Sequence, residues 1–386
     1  MVISNLNLLL IACVIAIISH RTRLPYTVGL VLAGLALAYG GSDASTHLSH
    51  ELIFQTLLPP LIFEAAFHLK WKELKPILLP VLLLATAGVI LSCAVTTGLL
   101  LAFSGLSLGA CLIIGAVLSA TDPVSVLALL KEAKLPPRIH KLLEAESLFN
   151  DGTASILFMI IPLVIAGHSS PIGIATLSIT SVVGGILIGA LIGLAVMVIS
   201  GRTNDHLVEI AMTVVAAFAS FSIAESLHAS GILSTLTAGM VLGNLDRFGS
   251  LTEKGLESSH SFWEFACFVA NSFIFILIGI DLNLWDVPGA RWVTVCTIVA
   301  MLVGRAVAVY GWCLPLRHAV PLPVQNLLFW GGLRGALSIA LVLGLPKDFP
   351  ERNMIITAVF HAVVFSIVIQ GMTVSPIIRR VKAAAK

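Results

Sequence analysis

Apolar runs of membrane length follow one another from Val2 to about residue 378, and short loops between them hold most of the charge. A helix needs about 20 such residues to cross the hydrocarbon of a bilayer, where backbone groups must be satisfied within the protein because no water is present. The pattern therefore predicts an all-α polytopic membrane protein. About 13 segments can be counted: 2–19, 26–40, 51–67, 76–103, 106–130, 140–166, 171–200, 206–228, 231–244, 258–282, 289–314, 322–345 and 352–378. Composition agrees, since 11% charged and 58% hydrophobic residues, with a mean hydropathy of +1.03, lie outside what a soluble domain of 386 residues shows.

The net charge of +2 says nothing of nucleic acid, because in such a chain only the distribution of Lys and Arg between loops is informative. With the N-terminus outside, seventeen basic residues between Arg21 and Lys386 collect on one side and three, Arg291, Lys347 and Arg352, on the other. The remaining two, Arg305 and Arg334, fall inside segments. The expectation is an N-out, C-in protein of the cell membrane. The first run lacks a basic leader and a small-residue cleavage site, so it reads as a retained helix rather than a signal peptide. Because the last segment ends close to Lys386, no soluble regulatory domain is expected. Cys13, Cys93, Cys111, Cys267, Cys296 and Cys313 lack metal-ligand or CxxC spacing and read as small core residues.

Two segments carry helix breakers at their middles. The fifth contains Thr121, Asp122 and Pro123, and proline removes a donor and disfavours helix at the residue before it. The twelfth contains Gly331, Gly332, Arg334 and Gly335, and each glycine weakens a helix by about 1 kcal/mol relative to alanine. Breaks at membrane depth require a protein-lined or wet cavity, and a pair seven segments apart matches an inverted-repeat transporter: segments 1–6 and 8–13 as repeats, segment 7 as connector. If the broken helices cross, Asp122 suits the partially positive half-helix starts and an arginine the partially negative ends. Taken singly, T-D-P also reads as a loop turn and G-G-L-R-G as a packing patch.

The sixth segment holds E-A-E-S-L-F-N-D-G-T-A-S, which places Glu146, Asn150 and Asp151 at membrane depth. A carboxylate there costs roughly 3 kcal/mol on insertion scales, so by default it lines a pathway or has a partner. Ser147 and Asp151 are four apart, as are Glu146 and Asn150, so each pair lies along one side of a helix.

A-T-D-P-V-S, E-S-L-F-N-D-G and G-G-L-R-G-A-L-S, in this order, resemble the sodium/proton antiporters of the monovalent cation:proton antiporter-1 family, bacterial or archaeal NhaP type. F-E-A-A-F around Glu64 and A-E-S-L-H-A-S-G-I around Glu225 are similar to it as well. The resemblance implies a thirteen-helix homodimer in which a six-helix core moves against a dimerisation domain to give alternating access. On this chain the dimerisation helices 1–3 are 1–70, core helices 4–6 are 76–166, helices 7–10 are 171–282 with helix 7 as connector, core helices 11–13 are 289–378, and 379–386 is a short cytoplasmic tail. It implies an ion site with Asp151 as the central carboxylate and proton site, Ser147 as an oxygen ligand, Thr121 and Asp122 at the break, and Glu146 and Asn150 as its further members. The family's arginine partner of Glu146 corresponds to Arg305 on the eleventh segment, with Arg334 a second candidate.

A monovalent cation needs several oxygens, which a carboxylate, a hydroxyl, carbonyls freed at the Thr121 break and water can supply. Burial favours the neutral form of a carboxylate and a nearby arginine the ionised form, so a paired Glu146 is structural and Asp151 is left to titrate. Competition of Na⁺, or Li⁺, with a proton for Asp151 gives exchange, and Asn150, uncharged where electrogenic relatives carry an aspartate, suggests electroneutral stoichiometry. No cofactor is implied. Asp151 could otherwise be a helix-packing carboxylate. Glu64 and Glu225 are candidates for a gate or for polar support, or ordinary polar contacts in a bundle; Glu144, Glu209, Glu264 and Asp281 fall near segment ends and are expected at the membrane interface, and His361 reads as a packed residue. Rival functions are a K⁺/proton antiporter or a proton-coupled carrier of another solute, an intramembrane aspartyl protease using Asp122 and Asp151, for which no G-x-G-D-like stretch exists, and a cation channel, for which no filter-like loop is evident.

Overall fold

The computed structural model describes residues 2–22, 24–41, 43–44, 46–122, 124–165, 167, 170–244, 252–282, 287, 289–314 and 320–384. Pro123, read above as a helix breaker, and the loop residues Arg23, Arg247, Arg317 and Lys386 lie outside them. Among the described residues eight helices are long and apolar enough to span a membrane: Asn5–Thr22, Trp71–Phe103, Pro137–Ile165, Ile172–Ser200, His206–Ser226, Glu253–Asp281, Ala290–Cys313 and Arg352–Thr373. Shorter apolar helices cover Tyr26–Tyr39, Leu52–His68, Leu108–Val117 and Gly231–Asn244. Beside the helices lies a two-residue parallel ladder, Val2–Ile3 with Asp43–Ala44.

The chain divides into two compact units, one of Met1–Ile53, Ile77–Ala154 and Asn271–Lys386, the other of Phe54–Pro76 and Ser155–Ala270. In the first, the helix Val89–Phe103 packs between Leu108–Val117 and Ala290–Cys313, and small residues set how near it comes. A Cβ on Gly115 would meet the Cys93 carbonyl and one on Gly304 the Ser92 carbonyl, both at 2.8 Å. Close approach brings hydroxyls across: Thr97 Oγ1 donates to the Cys111 carbonyl (3.2 Å) and Thr96 Oγ1 to that of Ala300 (3.3 Å). In lipid, where apolar contact alone does not drive helices together, such packing and hydroxyl bonds hold them. The same device joins Tyr26–Tyr39 to the end of Glu253–Asp281, where Gly34 lies against the Ile276 carbonyl and Gly279 against that of Val31.

The second unit centres on Phe63, Phe67, Ala216, Ala217, Leu242 and Trp263, all buried. Trp263 keeps its indole donor satisfied on Thr213 Oγ1 at 3.0 Å. Outward, Ile172, Ile179, Leu187, Leu191 and Val198 of Pro171–Ser200 are exposed, an apolar exterior that suits lipid.

Some sequence expectations are corrected here. Cys13 is exposed while the other five cysteines are buried, because Asn5–Thr22 buries only Leu8, Ala12 and Ser19 along a narrow face. Glu209 and Asp281, placed near segment ends, are shielded by protein: Glu209 accepts from the amide (3.2 Å) and hydroxyl (3.0 Å) of Thr252 before the helix Glu253–Asp281, and Asp281 from the Leu48 amide at 2.7 Å. Burial is tolerated because each carboxylate finds donors.

Gly279→Val should lower the unfolding midpoint of the detergent-purified protein, with a cost of about 1–3 kcal/mol for overpacking, whereas Gly98→Val, whose Cβ would meet nothing within 4 Å, should leave it near wild type. Equal effects of the two would refute the close-approach role of Gly279.

Candidate functional site

The site forms where two helices stop short. Leu108–Val117 ends and Val124–Ala133 begins beyond a non-helical stretch, as do Leu322–Gly331 and Ala336–Leu343. The two gaps pair as extended chain: the Asp122 amide donates to the Leu333 carbonyl at 2.7 Å in an isolated antiparallel bridge. Ser338 Oγ ties the second pair to the first by donating to the Val117 carbonyl at 2.9 Å.

Every break leaves carbonyls at a helix end and amides at a helix start without intrahelical partners. Arg334, 1% exposed, donates through Nη1 to the Ser119 (3.1 Å) and Ala120 (2.8 Å) carbonyls, just past the end of Leu108–Val117. Arg305, on Ala290–Cys313, donates through Nε (3.3 Å) and Nη2 (2.9 Å) to the Leu328 carbonyl in the last turns of Leu322–Gly331. Asp122 serves the starts: its Oδ1 accepts from the Val124 amide at 3.0 Å, and its Oδ2 lies so near Gly335, just before Ala336–Leu343, that a Cβ there would collide with it. Cations thus meet the two C-terminal ends and an anion the two N-terminal ends, the arrangement that half-helix dipoles favour. Gly332 lets Arg305 in, since a Cβ on it would sit 2.8 Å from Nε.

The helix Pro137–Ile165 supplies the next layer. Glu146, 2% exposed, takes a two-pronged ion pair from Arg305, Nη1 to Oε1 at 2.8 Å and Nη2 to Oε2 at 3.1 Å. Asn150, fully buried, donates to Glu146 Oε1 (3.0 Å) and Thr121 Oγ1 (2.7 Å) and accepts from the Thr121 amide (3.2 Å). Ser147 Oγ donates to the Thr121 carbonyl. Spacing of four puts Glu146 and Asn150 on the face toward Arg305 and the break, and Ser147 on the neighbouring face with Asp151. Asp151 is partly buried, within electrostatic range of Asp122 and Glu146, and accepts no hydrogen bond from the described residues.

The structure therefore brings Thr121, Asp122, Glu146, Ser147, Asn150, Asp151 and Arg305 together, with Arg334 on the opposite helix end rather than on Glu146. Glu64 and Glu225 belong to the other unit. There Glu225 accepts from the Gly231 amide (2.9 Å) at the start of Gly231–Asn244, and Glu64 lies 3.4 Å from His68 Nδ1. Sequence reasoning missed Ser366 and Gln370. Ser366 Oγ accepts from the Arg334 amide at 3.0 Å and donates to Gln370 Oε1 at 2.6 Å, within a π-helical turn at Ser366–Gln370 that widens the spacing of that helix. Two polar residues four apart in the apolar thirteenth segment were the available signal. Among the described residues no group of three or more His, Cys, Asp or Glu is placed to hold a resident metal ion.

The profile of the family described as sodium/hydrogen exchanger, transmembrane, matches residues 8–380. The chain is 38% identical over 383 residues to the Na⁺/H⁺ antiporter ApNhaP of Aphanothece halophytica, covering 96% of this chain and 72% of that one. It is 34% identical over 352 residues to the Na⁺/H⁺ antiporter NhaP of Pseudomonas aeruginosa, covering 86% and 82%. In three dimensions it is similar to the sodium proton antiporter MjNhaP1 from Methanocaldococcus jannaschii, with a TM-score of 0.81 at 18% identity over 98% of this chain and 97% of that one, a likeness of fold.

Removing one partner of the buried ion pair strands the other. Glu146→Gln should therefore cost stability, on the order of 3–5 kcal/mol, read as a lower unfolding midpoint in detergent, and Glu146→Gln with Arg305→Gln should recover part of the loss. A Glu146→Gln protein as stable as wild type would remove the structural role assigned to the pair.

Proposed function

The chain belongs to the sodium/hydrogen exchanger family, and from that premise we propose how its residues carry out the exchange of Na⁺ for protons as a secondary transporter rather than an enzyme. The observation that carries the reading is the contrast among the three carboxylates of the site. Glu146 is matched by Arg305 and Asn150, and Asp122 accepts from the Val124 amide at a helix start, while Asp151 accepts no hydrogen bond among the described residues. An unmatched charge at membrane depth is costly until something neutralises it. Either a proton or Na⁺ does so, and the two cannot share the same oxygens. Occupancy by one or the other lets the site cross, which couples their fluxes without a separate gate.

Ser147 supports Na⁺ binding through its lone pairs, because its proton is given to the Thr121 carbonyl. Thr121 and Asp122 add oxygens from the break. Glu146 and Asn150, placed in the ion site by the resemblance, act as braces: the Asn150 amide spends both ends on Thr121 and Glu146. One carboxylate that titrates against one monovalent cation gives electroneutral exchange. The protein works as a homodimer in the cell membrane, N-terminus outside and C-terminus cytoplasmic, serving pH homeostasis. The core helices 76–166 and 289–378 carry the site by an elevator-like movement against the dimerisation helices, with Glu64 and Glu225 as polar support there. The seventeen-to-three division of basic residues supports this orientation.

In proteoliposomes with an imposed pH gradient, Na⁺ should dissipate the gradient, and Asp151→Asn should abolish the response while still inserting and folding. Na⁺-dependent proton flux retained in that variant would falsify the single-site mechanism; a response to K⁺ alone would favour K⁺/proton antiport. Because a proton competes for the Asp151 oxygens, the KM for Na⁺ should rise as pH falls with the maximal rate little changed, measured as initial rates over a pH series. A KM independent of pH would separate the two sites.

A further inference from the structure

The last span, Arg352–Thr373, is followed after a single residue by the helix Ser375–Ala384. The linking Val374 and, in this helix, Ile378 and Val381 are buried against the protein, the helix packing on Val124–Ala133 and Leu322–Gly331 and turning Arg379, Arg380 and Lys382 outward. Its apolar stripe is already occupied, so it does not lie in the bilayer as an inserting amphipathic helix does. What it offers is a basic ledge beside the end of a membrane span. The helix it packs on extends that ledge, since Lys131, Lys134 and Arg138 are exposed at and just beyond the end of Val124–Ala133.

None of these six side chains has an ion-pair or hydrogen-bond partner among the described residues, whereas nearby Lys141 is paired with Glu144 at 3.0 Å. Of the residues 124–138 and 375–386 only Glu132 is acidic. Unpaired like charges held on packed helices repel one another until anions arrive. We propose that this ledge binds the phosphate-bearing headgroups of anionic phospholipids. The span that leads into it sets those headgroups at its own level, where each Lys or Arg adds about five-fold to the affinity for an anionic surface, the equivalent of roughly 1 kcal/mol. Val124–Ala133 is a rod of about 15 Å by helical rise, with Asp122 at its inner end, so a headgroup bound at the outer end holds the element that carries the ion site.

The test needs no transport and so stands apart from the exchange mechanism above. The full chain, purified in neutral detergent, is titrated with phosphatidylglycerol, with phosphatidylcholine or with inorganic phosphate while its unfolding midpoint is followed. Phosphatidylglycerol should raise the midpoint, less at 1 M salt, where the Debye length shrinks to about 3 Å. Phosphatidylcholine and phosphate should not. Arg379→Gln, Arg380→Gln and Lys382→Gln together should weaken phosphatidylglycerol binding about a hundredfold. Lys131→Gln, Lys134→Gln and Arg138→Gln, on a separate element, should weaken it comparably and keep the test decisive if the first variant does not fold. Native mass spectrometry of the wild type should retain phosphatidylglycerol in preference to phosphatidylcholine. Unchanged binding in either folded variant, equal protection by the neutral lipid, or protection reproduced by inorganic phosphate would overturn the proposal.

Discussion

The antiparallel pairing of Asp122 with Leu333 places four helix ends at one spot inside a bundle, and much else follows from their partial charges. Backbone groups at such depth find no water, so each end must be answered by protein. Arg334 and Arg305 answer the carbonyl ends, and Asp122 accepts from the Val124 amide at one helix start and lies against Gly335 at the other. Glycine is required where these side chains come closest, at Gly332 beside Arg305 and at Gly335 beside Asp122. The glycines that weaken the twelfth segment as a helix are thus the ones that admit the charges stabilising its break.

Arg305 also explains why Glu146 can be buried. A guanidinium that has already reached the Leu328 carbonyl presents its remaining donors to a carboxylate, and the two-pronged pair with Asn150 alongside satisfies both Glu146 oxygens. Asn150 then locks the Thr121 backbone at the break to the helix Pro137–Ile165. The fixed charges being balanced in this way, Asp151 is left as the carboxylate of the cluster that accepts no hydrogen bond among the described residues. A rigid, internally neutral frame around that carboxylate is what the proposed competition between a proton and a cation requires.

Helix packing in the two units follows one rule although their residues differ. Gly115 and Gly304 in the first, and Gly239 and Gly243 against Phe63 and Phe67 in the second, bring backbones together where larger side chains would hold them apart. Hydroxyls on Thr96 and Thr97 then reach carbonyls of neighbouring helices. Outside, Ile172, Ile179, Leu187 and Leu191 leave an apolar surface that suits lipid.

The membrane class, the places of the breaks and the cluster Glu146, Ser147, Asn150 and Asp151 are legible in the sequence, because each rests on a local property: hydropathy over about 20 residues, glycine or proline inside an apolar run, or a spacing of four on a helix. The orphaned groups at helix ends are equally local, so a need for an arginine and an aspartate there can be anticipated. Which arginine serves which end cannot. Arg305 and Arg334 both lie in apolar segments and both suit a carbonyl end or Glu146, and only the packing of Ala290–Cys313 beside Leu322–Gly331 assigns Arg305 to Glu146 and Arg334 to Ser119 and Ala120. The same holds for Ser366 and Gln370, drawn into the site by a π-helical turn, and for Asn150, whose amide could have been a ligand until three hydrogen bonds claimed it. Sequence by itself determined which groups must find partners at membrane depth. Tertiary structure decided which partners they found, because pairing depends on distances between helices that lie more than a hundred residues apart in the chain.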